Sequence, residues 1–244
     1  MFINLSPTNW SKKYIENYWI CFNNSNQILK IPIIPDGFSD IIFLNNKSEI
    51  NMYIIGYCTK SFIAHIHPDE FYIGIRFKPG FINSFVNIPI NEFVNSKISV
   101  PIPNDNVDIF LRTFRSSIKN YSLPAESLDC LLKYLFKVDT DSISRNISNY
   151  IIETKGMTPI SNILNKYNIS YKKLERTFNK TLGITPKLYS RIIRFNYAYN
   201  NINNNSKINT VDLSLDAGFY DQSHYYKDHN EFTGLVNIKE YSLV

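Results

Sequence analysis

No apolar run in the 244 residues approaches the ~18 needed to cross a bilayer. The opening M-F-I-N-L-S-P-T-N-W also lacks the basic start and apolar core of a secretory signal. Cysteine is scarce. Cys21, Cys58 and Cys130 are odd in number and widely spaced, with no Cys-x-x-Cys, so no disulfide framework is indicated and a reducing compartment is. The expected protein is soluble and cytoplasmic. Enzyme signatures are missing too: there is no Gly-rich phosphate loop, no Gly-x-Ser-x-Gly and no zinc-binding His-Glu-x-x-His. Neither catalysis nor a cofactor is expected.

With 44% hydrophobic residues the chain can bury a sizeable core, and its length suits two domains of ordinary size. The 31 asparagines, with many Ile, Lys and Tyr, reflect AT-rich codons and carry no functional weight. The formal charge of +5 is unevenly placed. Residues 141–244 hold 13 Lys+Arg against 9 Asp+Glu, an excess of +4, while residues 1–140 hold 13 against 12, an excess of +1. A phosphate-binding surface in the second half would require that asymmetry.

The first half reads as strands. Trp10, Tyr14, Tyr18, Trp19 and Phe22 suit a strand or short helix that anchors the N-terminus. Pro35-Asp36-Gly37 is turn chemistry, followed by a short buried strand at Ile41 to Leu44. Met52 to Tyr57, Phe62 to Ile66 and Phe71 to Phe77 are further strand candidates, and such close spacing suggests a sheet folded on itself. Phe81 to Val86 and Pro89 to Val94 look like short helices, and Val107 to Tyr121 and Ser127 to Val138 like longer ones. Asp139-Thr140-Asp141-Ser142 is the expected linker, so the expected domains are 1–138 and 143–244.

The second half reads as helices, beginning with Ile143 to Ile152. Thr158-Pro159 offers a cap with proline at the first helical position, and Ile160, Ile163, Leu164 and Tyr167 recur at helical spacing before a left-handed stop at Asn168. Ser170 can cap a helix through Leu182, with Leu174 and Phe178 inward and Lys172, Lys173, Glu175, Arg176 and Asn179 outward. Thr185-Pro186 starts a long helix carrying Tyr189, Ile192, Ile193, Tyr197 and Ala198; from Pro186 to Ile202 it would span roughly 25 Å at ~1.5 Å per residue. Thr210 can cap a short helix bearing Val211, Leu213 and Ala217, ended by Gly218. Asp221 then caps a last helix, placing Gln222, Ser223, His224, Tyr226 and Lys227 in its first two turns, where amide, hydroxyl and ammonium groups suit base edges and phosphates.

Two runs make this half recognisable. L-E-R-T-F-N-K-T-L-G-I-T-P, Leu174 to Pro186, and A-G-F-Y-D-Q-S-H-Y-Y-K-D-H-N-E-F-T-G, Ala217 to Gly234, resemble the ends of the two helix-turn-helix units of AraC/XylS-type transcriptional regulators. The first half resembles the N-terminal domain, without an assigned ligand, attached to a subgroup of that family; the matching runs are P-D-G-F-S-D-I-I-F from Pro35, I-G-I-R-F-K-P-G from Ile73 and N-I-P-I-N-E-F from Asn87, over roughly residues 1–135. The resemblance implies an α+β protein with a sensing or dimerising sheet domain and an all-α domain with helix-turn-helix units at 158–182 and 210–232. It implies binding to double-stranded DNA, with RNA polymerase and a small-molecule effector as further partners. Carried over residue by residue, the reading positions are Lys172, Lys173, Glu175, Arg176 and Asn179 in the first unit and Gln222, Ser223, His224, Tyr226 and Lys227 in the second. Lys207, in the loop between, could reach only backbone.

The chain departs from the family at several positions. Leu164 and Ser214 stand where a small alanine is usual, His229 where Phe is usual, and T-G-L-V-N-I-K-E-Y from Thr233 has one extra residue and no proline. Rival readings attach to the first half. His65-Ile66-His67 with Glu70 invites a metal site, but the carboxylate spacing is one residue short of the cupin motif and no second motif follows, so the expectation is no metal; a loop-edge pair or a pocket lining are the alternatives. Arg76 is either paired with Asp40 or Asp36 or a contact for a ligand anion. The alternative from another class is a ligand- or metal-binding protein whose helical domain serves protein contacts rather than DNA reading.

Overall fold

The computed structural model describes residues 2–8, 10–45, 49–86, 89–102, 107, 125–135, 143–204 and 214–234. Its class is α+β, with strands first and helices after. An antiparallel six-stranded sheet runs in the order β1 (Phe2–Leu5), β2 (Ile15–Phe22), β7 (Phe71–Phe77), β4 (Ser39–Asn45), β5 (Ile50–Ile55) and β8 (Lys97–Val100). β3 (Leu29–Ile33) and β6 (Phe62–Ile66) pair as a separate antiparallel ribbon.

Alternation explains how the sheet is covered. Ile41 and Phe43 join Tyr18, Ile20, Ile54, Ile73 and Ile75 in the main core, while Leu44, Cys21 and Tyr72 turn to the opposite face beneath Ile31, Ala64 and Ile66 of the ribbon. Strands buried on both faces read as continuous apolar runs, as I-I-F-L does here. Each fully buried Ile or Phe contributes about 1.5–3 kcal/mol.

Two strands escaped sequence reading for physical reasons. In β3, Pro32 supplies no N–H, which an outer ribbon strand tolerates, and the proline masked the strand signal. β8 is only four residues, K-I-S-V, with little pattern to read. The N-terminal anchor is both strand and helix: β1, a 3₁₀ turn at Ser11–Lys13 and β2. The helices expected at 81–86 and 89–94 are single 3₁₀ turns, Ile82–Ser84 and Ile90–Phe93. The helix expected at 127–138 is α1 (Ala125–Leu135), fastened to the sheet where buried Asp129 accepts hydrogen bonds from the hydroxyls of Thr8, Ser11 and Tyr18. Beyond Val107, the helix expected through Tyr121 lies outside the described residues, as do the linker at 139–142 and the cap at Thr210.

The remaining helices are α2 (Ile143–Glu153), α3 (Ile160–Tyr167), α4 (Tyr171–Thr181), α5 (Pro186–Asn204), a helical turn at 214–216, and α6 (Gln222–Thr233). They do not hang from the sheet by a tether. One continuous apolar core runs from β2 through α1 and α5 to α6. At the seam, Arg145 of α2 is buried over the Phe81 ring and donates to Gly80 O at 3.1 Å and Ser84 Oγ at 2.9 Å. Asn196 of α5 donates to Pro35 O at 3.0 Å, Asn83 to Thr181 O at 3.2 Å, and Ser61 to Thr233 O at 2.5 Å. Gly37, at φ +82°, lies so close to α5 that a Cβ would stand 2.6 Å from Ile193 Cδ1.

Two buried tyrosines meet at this seam edge to face, Tyr57 after β5 and Tyr189 of α5, 6.5 Å between ring centres. Tyr57 accepts the buried Gly80 N–H at 2.9 Å, whereas the Tyr189 hydroxyl has no hydrogen-bond partner. Removing an acceptor strands a donor, but removing a lone hydroxyl strands nothing. Tyr57→Phe should therefore lower stability by about 1–3 kcal/mol, while Tyr189→Phe should leave it unchanged or raise it. Urea unfolding of the two variants beside the parent checks the opposite signs.

Candidate nucleic-acid interface

Helix ends fix where the outward residues fall. α3 starts one residue later than the sequence suggests: Pro159 is the cap itself, at φ −56° and ψ 141°, and no side chain caps the helix. Its extended ψ keeps it outside the helix, so Thr158 is one place too early to cap. Asn168 ends α3 in the left-handed region at φ 47°, its N–H bonded to Asn165 O and Leu164 O. Ser170 caps α4, accepting from Lys173 N at 3.4 Å. Leu174 and Phe178 are buried, which turns Lys172, Lys173, Arg176 and Asn179 outward, all four exposed. Glu175 is half covered and accepts from the Tyr171 hydroxyl at 3.3 Å. Gly183, at φ +74°, closes α4 against the Ile90–Phe93 turn, where a Cβ would meet Val94 Cγ2 at 2.6 Å.

α6 is built the same way. Gly218 turns the chain at φ +77°, and Asp221 caps the helix, its Oδ1 accepting His224 N at 2.7 Å. Ser223, Tyr226 and Lys227 are exposed, Gln222 and His224 half-buried. His224 also faces its own turn: Nδ1 accepts Tyr220 N–H at 3.4 Å and the ring stands edge-on to Phe219 at 5.3 Å. Tyr220, not singled out from sequence, is 86% exposed at the head of this helix.

α5 joins the pairs, 19 residues and so about 28 Å long. Tyr189, Ile192, Ile193 and Ala198 are buried as their spacing predicts, and Tyr197 is half-buried. Sequence reading missed the other side of this helix, where charges at three-residue spacing gave the available signal. Arg191 holds α6 through Asp228 Oδ1 at 2.7 Å and Glu231 Oε2 at 2.6 Å. Arg194 lies over the Phe219 ring at 4.6 Å, with Asp228 Oδ2 3.8 Å away. Arg191, Arg194, Asp228 and Glu231 line a cleft of about 730 Å³ between α5, α6 and the start of α3. Lys207 and residues 235–241 lie outside the described residues.

The first-half candidates fall elsewhere. His65 is the penultimate residue of β6 and His67 directly follows the strand, both exposed, and His67 N–H is bonded to Glu70 Oε2 at 2.8 Å. Among the described residues no three His, Cys, Asp or Glu side chains are grouped to hold a metal ion. Arg76 pairs with both expected carboxylates, Asp36 at 2.9 Å and Asp40 at 3.2 Å. Burial pulls its pKa down, but the charges of Asp40 and Asp36 outweigh that and hold it above the ordinary range.

Residues 5–99 match the profile of a domain of unknown function (DUF6597). That stretch lies within the part resembling an AraC-attached N-terminal domain and ends ahead of α1. Among solved structures the chain is similar to ToxT from Vibrio cholerae: at 1.65 Å resolution, 12% identity over 99% of this chain and 96% of that one, TM-score 0.48. A structure of ToxT with bound unsaturated fatty acid gives 10% identity over 91% and 97%, TM-score 0.46, and an apo ToxT variant 11% over 88% and 96%, TM-score 0.46. Comparison with curated protein sequences gives no match. Among the described residues no helix is long and apolar enough to cross a membrane.

His229 is 1% exposed among the rings of Phe195, Tyr199 and Tyr225, and its Nδ1 has no hydrogen-bond partner. Burial lowers its pKa below the usual 6.5. The unfolded chain therefore takes up the proton first, so the contribution of neutral His229 is full above about pH 6.5 and is lost as pH falls below it. Thermal melts between pH 7.5 and 5 should show this decline, and His229→Phe should flatten it.

Proposed function

We propose that this chain is a sequence-specific DNA-binding transcription regulator, with a sheet domain that senses an effector or dimerises and a helical domain, from 143 onward, that reads DNA through two helix-turn-helix units. The observation that carries the reading is α4: capped by Ser170, pinned inward by Leu174 and Phe178, it presents Lys172, Lys173, Arg176 and Asn179 together to solvent. Such a face fits a major groove, with arginine suited to guanine O6 and N7 and asparagine to adenine. α6 supplies the second reading face through Gln222, Ser223, Tyr226 and Lys227, with His224 serving chiefly to set the turn. Once the offsets of the reading helices are added to the length of α5, they suit grooves one DNA turn, ~34 Å, apart. Glu175 would accept from cytosine N4 and repel phosphate, which favours sequence choice over affinity. The seam between sheet and helices gives an effector bound in the sheet domain a route to both reading helices, and RNA polymerase is the natural further partner of such a regulator.

Selection of duplexes from a randomised pool by the full-length chain tests the reading. An enriched motif with two half-sites is expected; failure to enrich any sequence would instead favour a helical domain that serves protein contacts. On the enriched duplex, Arg176→Ala should cost about 1–3 kcal/mol and relax preference at one base pair, with little change on scrambled DNA. An equal loss on both duplexes would mean that Arg176 touches phosphate and that the first unit positions rather than reads.

A further inference from the structure

We propose that the cleft between α5, α6 and the start of α3 seats one phosphate of the DNA backbone. The inference rests on the DNA-binding reading and names a contact within it that no reading-face residue provides.

Three features converge on the cleft. Ser190, 8% exposed, lines the cleft, and its buried Oγ has no hydrogen-bond partner. Arg194 also lines it, its buried Nε has no hydrogen-bond partner, and its guanidinium carbon lies 4.6 Å from the centre of the Phe219 ring, which limits its movement. Finally, α3 opens into the cleft at Pro159 and Ile160 without a side-chain cap, so its first-turn N–H groups bring the positive end of an eight-residue helix to the same place. A buried hydroxyl, a guanidinium N–H and a helix N-terminus are all donors, and a phosphate diester offers acceptors to each at once.

Charge within the cleft allows this. Asp228 and Glu231 also line it, but Arg191 occupies both at 2.7 Å and 2.6 Å. The free oxygen of Asp228 stands 3.8 Å from Arg194 Nη2, too far for a hydrogen bond, and leaves Nε uncommitted. Lys187 and Lys227 at the exposed margin add positive charge without such partners in the cleft, so an entering monoanion meets a net positive surface. The position matters as much as the chemistry. The cleft adjoins the head of the second reading helix and the start of the first helix pair, so backbone passing between the two grooves would cross it.

Because a phosphate contact ignores sequence, an unselected 25-base-pair duplex is a sufficient probe. With the full chain, Arg194→Gln should weaken binding about tenfold, the loss of one charge-assisted hydrogen bond, and lower the slope of log affinity against log salt by about 0.9. Lys187→Gln, which leaves the buried surroundings intact, should lower the slope in the same direction if Arg194→Gln proves unstable. Lys12→Gln, exposed on the sheet domain, should do neither. On the enriched duplex, replacing single phosphates by uncharged methylphosphonate should weaken the parent at a position between the half-sites and not further weaken Arg194→Gln there. Folded cleft variants that keep affinity and slope would overturn the proposal while leaving the reading in place, provided Arg176→Ala still loses its preference. Weakened binding that no methylphosphonate position reproduces would mean that the cleft takes free phosphate or shapes α6, which overturns the DNA seat. If the parent binds no duplex at low salt, the reading itself has failed and the cleft assignment falls with it.

Discussion

Tyr189 is where the molecule is held together. Its ring is fully buried and stands edge-on to Tyr57 of the sheet domain at 6.5 Å and to Phe178 of α4 at 6.0 Å, and the Gly37 backbone closes over it. One side chain of α5 thus touches the sheet domain and the inner face of α4. Rings in this geometry attract beyond the area they bury, but the larger consequence is positional, since interiors packed at crystal density transmit displacement instead of absorbing it. A shift of the Pro35–Gly37 turn must move Tyr189 or Ile193, and through Tyr189 it reaches Phe178.

That turn is itself anchored by charge. Asp36 and Asp40 bracket Gly37, and both reach Arg76 in β7, which also lies over Phe38 at 5.7 Å, while Trp19 donates to Asp40 at 2.9 Å. The runs P-D-G-F-S-D and G-I-R-F, separated by some thirty residues, therefore form one device. It presents Pro35 O to Asn196 and a glycine without a Cβ to Ile193. The segment matched by the domain of unknown function contains both runs, so what marks that domain in sequence includes the surface it offers to the helices.

How far this could be read from residues alone follows from the range of the interactions. Caps, stops and amphipathic spacing act over a few residues, and Ser170, Asn168, Asp221 and Gly218 stand in the structure as their chemistry predicts. Pro159 was misplaced by one residue because proline suits the cap and the first turn alike. β3 and β8 were missed because one carries a proline and the other is too short to show a period. The cleft was invisible for a different reason: Ser190 and Arg194 become donors without partners only through the folding of α6 against α5. The seam was hidden likewise, since Gly37 gives no sign in sequence of what it approaches.

The two helices proposed to read DNA, α4 and α6, differ in how their surroundings treat charge. On α4 the cations are exposed and the partly covered Glu175 is bonded to a neighbouring tyrosine, so this surface stands open to solvent. Around α6 much of the charge is turned inward, with Arg191 spent on Asp228 and Glu231 and Arg194 stacked on Phe219. Such pairs fix the angle of a helix more than they add affinity, because their Coulomb attraction largely offsets desolvation. The second unit is thereby set rigidly on α5, while α4 is set by the sheet through Gly183 and Phe178. A displacement in the sheet domain therefore reaches α4 through Phe178 and α6 through α5, and in the proposed DNA-binding role the position of both helices would carry it.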